Sequence, residues 1–364
     1  MAHIVIDARF YRQSTAGLGR YSRELIDELA KLDQLNRYTI LLTPADRLEY
    51  QLTAKNFEPL VIDIPHYSLA EQLKLPAIIR KLRPDLVHYL NFNHPIFSPR
   101  PFMVTIHDLI MLHQPTQTSP LRRLAFLANL QHAAWASRLV ITPTKFVAKD
   151  VAQSLHLNPD KIKPIYEGAF TPQLSNSAES KGPKTKPYLL AVAQWRPHKG
   201  LIELIEAWSA VADELDLDLV LPGKPSANFP ELAKQIKNLA QNQPRLRLPG
   251  FVSDEQLSQL YSEALAFVFP SHAEGFGLPP LEAMAHHTPV LANRASTMPE
   301  LLGEAALYFD TNQPTSIQQA VRQIATDTQL RHELVKRGDQ QLAKYSWAKM
   351  AAETLKLYQE IIKD

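Results

Sequence analysis

Four groups of residues in this chain combine side-chain type and spacing in ways that could serve a reaction. The sharpest is the stretch from Glu274 to Glu282, which reads EGFGLPPLE. Gly275 and Gly277 predict a compact loop whose amides of Phe276, Gly277 and Leu278 are exposed. Pro279 and Pro280 stiffen that loop and start a helix. Glu274 falls in the loop and Glu282 in the first helical turn, so each carboxylate could grip a diol, or both could be helix-start charges. A paired acid/base role would need opposed carboxylates at a set separation, which linear spacing leaves open. Arg196 and Lys199-Gly200 follow an apolar strand and precede a helix, which suits a diphosphate as well as a solvated basic loop. His107-Asp108 ends another strand, where a histidine could donate to a hydroxyl or a phosphate oxygen and Asp108 could orient it or cap the turn. His88 and His94 have weaker claims, since with 13 histidines most must be incidental. Gly17-Leu18-Gly19 lies between a first strand and a helix, the setting of a phosphate-binding turn or of a plain tight turn. Arg20 adds a cation there, but Ser22 and Arg23 stand where a dinucleotide fingerprint needs its third glycine. A fifth stretch, Ser296 to Glu300, could wrap a nucleotide base, or Glu300 could simply be an N-terminal helix charge.

The elements that would position these groups alternate. Strands are expected at His3–Ile6, Tyr38–Leu42, Leu86–Leu90, Phe102–Ile106 and Leu139–Thr142, with helices at Arg20–Ala30, Ser68–Lys81, Leu121–Ala136 and Lys145–Leu155. Ala169–Pro187 is rich in Pro, Ser, Lys and Gly and reads as a linker. Alternation restarts with strands at Tyr188–Val192, Leu217–Leu221, Leu246–Leu248, Leu265–Phe269 and Val290–Ala292. Helices are expected between them, at Pro280–His286, and in two closing segments, Thr315–Asp327 and Ala348–Ile362. Such alternation implies mostly parallel sheets covered by helices, with ligand sites at the C-terminal strand ends.

The 364 residues are too many for one ordinary core and comfortable for two domains. A net charge of +2 gives no signal for nucleic acid. Residues 1–180 hold 20 Lys+Arg against 16 Asp+Glu, a mild basic excess. The absence of cysteine excludes disulfides, a thiolate nucleophile and thiolate-bound metal. MAHIVIDARF runs straight into a strand pattern instead of a signal peptide, and no stretch approaches the ~20 apolar residues of a membrane span. A cytoplasmic location is therefore expected.

With these residues in order, the chain resembles the retaining glycosyltransferases of family 4, which have the GT-B fold: two Rossmann-like domains facing each other across a cleft. The resemblance rests on the E-x7-E spacing of Glu274 and Glu282 within EGFGLPPLEAMA, with GLGRY, IHD, RPHKG and the LPPLEA core in the expected order. IDAR near the start and TMPELLGEAAL near the end look like the branch of GDP-mannose-dependent mannosyltransferases of polysaccharide assembly. The resemblance implies an acceptor-binding domain at 1–170, a linker at 171–187, a donor-binding domain at 188–346 and a final helix at 347–364 crossing back to the first domain. His107 would contact the donor hexose. Arg196 and Lys199 would hold the diphosphate, Glu274 the transferred sugar and Glu282 the ribose. Gly17, Gly19 and the amides of Phe276, Gly277 and Leu278 would border the donor, and Arg20 and Asp108 the acceptor. No metal or other cofactor would be needed, because protein cations take its place.

Three departures from the family pattern bear on the pocket. Gln194 and Trp195 stand where relatives have a glycine, His286 and His287 where they have small residues, and the two glycines with Arg20 leave acceptor choice open. The expected substrates are GDP-mannose or a UDP-sugar such as UDP-glucose or UDP-N-acetylglucosamine, and a glycan or lipid-linked saccharide acceptor. Arg80 to Arg83 and Pro120 to Leu127 could touch the inner membrane surface. The alternatives are a nucleotide-sugar epimerase and a non-catalytic sugar-nucleotide binder. Oligomeric state is not legible in the sequence.

Overall fold

The computed structural model describes residues 1–15, 17–113, 120–169 and 186–363. The chain divides into two compact units, Met1–Gly168 with Ser346–Asp364, and Ala169–Tyr345. Of the linker expected at 171–187, only Lys186 and Pro187 fall within the described residues.

The first unit is built on seven strands: β1 (His3–Asp7), β2 (Arg37–Leu42), β3 (Phe57–Val61), β4 (Leu86–Tyr89), β5 (Phe102–Thr105), β6 (Val140–Thr142) and β7 (Ile162–Pro164). Their order is β3-β2-β1-β4-β5-β6-β7 and every neighbouring pair is parallel. β1 is buried throughout, as a central strand covered on both faces must be. Its Ile4 and Ile6 join one core layer and Val5 the other, the two-residue period of a pleated strand. The helix Gly17–Leu32 lays Tyr21, Leu25, Ile26 and Leu29 on the first layer. The final helix, Trp347–Lys363, returns to this unit and buries Met350, Leu357, Tyr358 and Ile361 in the same layer.

The second unit has six strands: β8 (Tyr188–Leu190), β9 (Asp218–Pro222), β10 (Leu246–Gly250), β11 (Ala266–Phe269), β12 (Val290–Asn293) and β13 (Ala306–Phe309), ordered β10-β9-β8-β11-β12-β13 and all parallel. Its core gathers around the fully buried Trp208 of the helix Leu201–Ser209.

Several elements differ from the sequence reading. The first helix begins at Gly17, not Arg20, so the two glycines lie in its opening turn. A Cβ on Gly19 would stand 2.2 Å from the Arg12 carbonyl oxygen, so this glycine lets the helix pack on the preceding short turn Gln13–Thr15. β3 escaped notice because Glu58 and Pro59 interrupt its apolar run, as an edge strand permits. The helix Pro44–Glu49 was also unforeseen, although Thr43 and Asp46 form a capping box at its start. β7, β13 and the helices Ile110–His113 and Thr328–Leu342 are further additions, and three helices close the chain where two were expected.

Candidate active site

In the second sheet the strand order reverses between β8 and β11, which lie side by side although β9, β10 and three α-helices separate them in the chain. Loops leaving their C-terminal ends are forced together at such a switch point. Gly200, at φ +63°, passes so close to β11 that a Cβ would stand 2.3 Å from the Pro270 carbonyl oxygen. The His198 carbonyl accepts the His272 amide at 2.8 Å and the Ser271 hydroxyl at 3.1 Å. Asn293 donates to the Ser271 carbonyl and Thr311 to that of Pro270. These bonds lock the β8 loop to the β11 loop.

The lock brings Lys199 to Glu274. Lys199 Nζ donates to Glu274 Oε1 at 2.5 Å, with the two side chains only 18% and 12% exposed. Lys199 Nζ also stands 5.8 Å from the centre of the Phe269 ring. Charge-assisted bonds of this kind are among the stronger ones, more so out of bulk water. His198, beneath them, is held neutral: burial first, then the adjacent Lys199, push its pKa down to about 4. Arg196 is exposed: its carbonyl accepts the Lys199 amide at 3.0 Å, and its side chain makes no hydrogen bond or ion pair among the described residues. Its neighbour Trp195 is buried, and its indole N–H has no partner among them.

The Glu274 loop is held from behind by the segment that follows β12. The Glu274 amide donates to Ser296 Oγ at 3.1 Å, the Ser296 hydroxyl lies 3.0 Å from the Glu274 carbonyl, and Thr297 donates to the Phe276 carbonyl at 3.0 Å. Ser296 and Thr297 are thus scaffold for the loop. Gly277 caps the helix Leu278–Ala285 at φ +107°, a conformation that side chains disfavour. No hydrogen bond within the protein occupies the amides of Phe276 and Gly277 among the described residues, and Leu278 opens the helix, where an amide has no intrahelical partner. Glu282 lies in the second turn, not the first, so it is not a helix-start charge. Tyr261 donates to its Oε2 at 3.0 Å. His286 stacks on Tyr261 and bonds Ser258, while the exposed His287 pairs with Asp339.

In the first unit, His107 follows β5 and is mostly buried. Its Nε2 lies 2.9 Å from the Leu90 carbonyl oxygen, and its Nδ1 3.5 Å from Glu167 Oε1. Burial lowers the His107 pKa, but Glu167, the Leu90 carbonyl and Asp108 outweigh it, so the net shift is upward. Asp108 Oδ1 accepts the Ile110 amide at 2.9 Å, the turn-capping arrangement. His88 is fully buried between Tyr358 and Thr105, and burial, with His107 nearby, pushes its pKa down to about 3. Gly17 is exposed with open space around it, and Arg20 lies one turn further along the same helix.

Two features carried no sequence signal. Glu167 is an isolated acidic residue in IYEGAF, and only the fold puts it beside His107. Arg9 is almost fully buried, bound to Asp7 at 2.7 Å and to Glu71 at 2.6 Å, with Asn93 completing the Glu71 shell. It ties the end of β1 to the first turn of the helix Leu69–Leu82, near the β1–β4 switch point. Among the described residues, no group of three or more His, Asp or Glu converges as a metal site would.

Two sheets of this topology, each flanked by helices, define the GT-B fold. The structure aligns over its whole length with sucrose-phosphate synthase from Thermosynechococcus elongatus, covering all of both chains with a TM-score of 0.80 at 19% identity. It also aligns with Anabaena HepE in complex with UDP and glucose, covering 99% of this chain and 100% of that one, with a TM-score of 0.74 at 17% identity. In sequence, residues 173–341 match the model of "Glycosyl transferases group 1" and residues 15–171 that of "Glycosyltransferase Family 4". O-antigen chain mannosyltransferase B of Escherichia coli is 25% identical over 368 aligned positions, which cover 94% of this chain and 95% of that protein. Against three alignments to longer Escherichia coli mannosyltransferases, the chain spans about half the relative's length. The chain belongs to the GT-B glycosyltransferases of the family 4 and group 1 superfamily and is related to bacterial polysaccharide mannosyltransferases. It is a hexosyltransferase that uses a nucleotide-sugar donor.

Proposed function

We propose that the enzyme transfers mannose from GDP-mannose to a glycan or lipid-linked oligosaccharide, retaining the anomeric configuration and without a metal ion. The observation that carries this reading is the enclosed Lys199–Glu274 pair beside the open amides of Phe276, Gly277 and Leu278. A nucleoside diphosphate sugar presents both kinds of group this site would take, phosphate oxygens for the cation and amides, and sugar hydroxyls for the carboxylate. Lys199 and Arg196 stabilise the diphosphate as the sugar–phosphate bond breaks, and Glu274 holds the departing hexose. The acceptor hydroxyl attacks from the face the diphosphate leaves, and a phosphate oxygen takes its proton. Because charge grows on the leaving oxygen, fixed cations and amides there favour the transition state over the ground state. Glu282, held by Tyr261, binds the ribose. In the first unit, His107 contacts the hexose, Gly17 and Gly19 border the donor, and Arg20 and Asp108 take the acceptor. Leu121 and Leu124 are exposed beside Arg122 and Arg123, a surface suited to peripheral contact with a cytoplasmic membrane face. No helix among the described residues is long and apolar enough to cross a membrane.

The mannose reading draws on the sequence similarity to O-antigen chain mannosyltransferase B. A UDP-sugar donor is the second reading, favoured by the fold shared with HepE, whose structure holds UDP and glucose. The test is incubation of each donor with a panel of mannosylated and lipid-linked acceptors, followed by NMR of the product. An α-linked mannose from α-configured GDP-mannose supports the proposal. A β-linked product overturns retention, and transfer from UDP-glucose alone overturns the donor.

A further inference from the structure

We infer that Glu167 is a positioning residue: its buried carboxylate, seated one residue before the contact of Gly168 with Trp347, holds His107 as an imidazolium with both ring N–H groups committed. The inference deepens the catalytic reading of His107 and, as a role in catalysis, rests on it.

The geometry runs as a donor–acceptor count. Leu90 offers His107 Nε2 a carbonyl oxygen at 2.9 Å, which can only accept. Glu167 Oε1 faces Nδ1 at 3.5 Å, and an ionised carboxylate can only accept. A neutral imidazole would turn a lone pair toward one of these oxygens, whereas the imidazolium satisfies both. The other groups around the ring agree with a cation. Tyr21, from the helix Gly17–Leu32, packs its ring nearly perpendicular to that of His107 with centroids 4.7 Å apart, and its hydroxyl is engaged with Thr105. His88 on β4 is neutral, since burial, with His107 as a second cause, lowers its pKa to about 3. Asp108, the next residue, adds a second carboxylate, with Oδ1 accepting the Ile110 amide. No cationic side chain among these opposes the charge on His107.

Glu167 is kept in place by the final helix. Gly168 runs against Trp347 so closely that a Cβ would stand 2.3 Å from Trp347 Cγ. The same helix sends the Tyr358 hydroxyl to His88 Nδ1 at 2.6 Å. The helix Trp347–Lys363 therefore sets both the carboxylate that charges His107 and the neutral histidine beside it. An imidazolium cannot take a proton from an acceptor hydroxyl, and with both N–H groups committed His107 meets the substrate as a fixed positive charge and not as a general base.

The experiment is NMR titration of ring-labelled histidines in the full chain, with the His107 signal assigned by its loss in H107N. In the wild type His107 should stay doubly protonated to higher pH than an ordinary histidine. In E167Q its titration should move to lower pH, and in E167D lie between the two. G168A, which displaces the carboxylate without removing it, should move it in the same direction and stands in should E167Q fail to fold. Glycosyl transfer by E167Q should lose about 10- to 100-fold in kcat, as loss of a charged partner does. Its donor KM should hold, and the alkaline fall of kcat should begin at lower pH. A single neutral tautomer at His107 in the wild type at pH 7, or a titration unmoved by E167Q, overturns the inference. A titration that moves as expected in a protein that transfers no sugar leaves Glu167 in this role and removes the catalytic reading instead.

Discussion

Replacing Gly277 with alanine should destabilise the second unit by an amount the structure allows to be worked out. Gly277 sits at φ +107°, where an L side chain is strained, at about 1–3 kcal/mol. The new Cβ would also lie 2.5 Å from Cε of Met298, which is fully buried. Displacing that methyl group adds an overpacking cost of about 1–3 kcal/mol, reduced by the flexibility of methionine. The expected total is about 2–4 kcal/mol, which for a domain of this size lowers Tm by roughly 5–15 °C. Calorimetric or circular-dichroism melting measures it. Met298→Leu removes the far methyl at little intrinsic cost, so G277A/M298L should recover the packing part and keep the backbone part. A G277A melt within about 2 °C of wild type would refute the reasoning. Full recovery in the double variant would show that the φ angle carries no strain.

Lys199→Ala and Glu274→Ala should each lower kcat/KM by about 100-fold or more, because each strips one partner from an enclosed charge pair; steady-state transfer assays on both folded variants check this, and near wild-type rates would remove the site. His88, His94 and His198 are held neutral by burial, with pKa values lowered to about 3, 4 and 4 against an ordinary 6.5. The unfolded chain binds more protons on them below pH 6.5, so their contribution is complete above that pH and falls toward pH 4 by about 1.4 kcal/mol per histidine per pH unit. Urea unfolding between pH 7 and 4 should show this slope, and H88Q should lessen it. Transfer should persist in EDTA; activity lost in EDTA and restored by magnesium would contradict the metal-free reading.

The alternation of strands and helices was legible because apolar runs such as HIVID and AFVF end in polar turns, and the EGFGLPPLE motif carries its own helix start. Apart from the 15-residue helix Thr328–Leu342, what escaped notice was short or interrupted. β7 and β13 are brief, β3 contains Glu58 and Pro59, and the glycines at 17 and 19 read as a loop because their role is packing against a turn. The candidate residues could be named one loop at a time, but their meeting could not. Lys199 reaches Glu274 because β8 and β11 are adjacent, a consequence of sheet order that no local pattern states. Glu167 was invisible for the same reason, since an acidic residue after a short strand has no periodicity or spacing to mark it, and its partner lies sixty positions earlier in the chain.

Calorimetric binding of GDP-mannose, UDP-glucose, UDP-N-acetylglucosamine and the bare nucleotides, to wild type and to Lys199→Ala, tests the central claim most directly. The account predicts that GDP-mannose binds selectively, more tightly than GDP alone, and that the variant loses most of that affinity. Selective binding of a UDP-sugar, or GDP-mannose bound equally by wild type and variant, would contradict it.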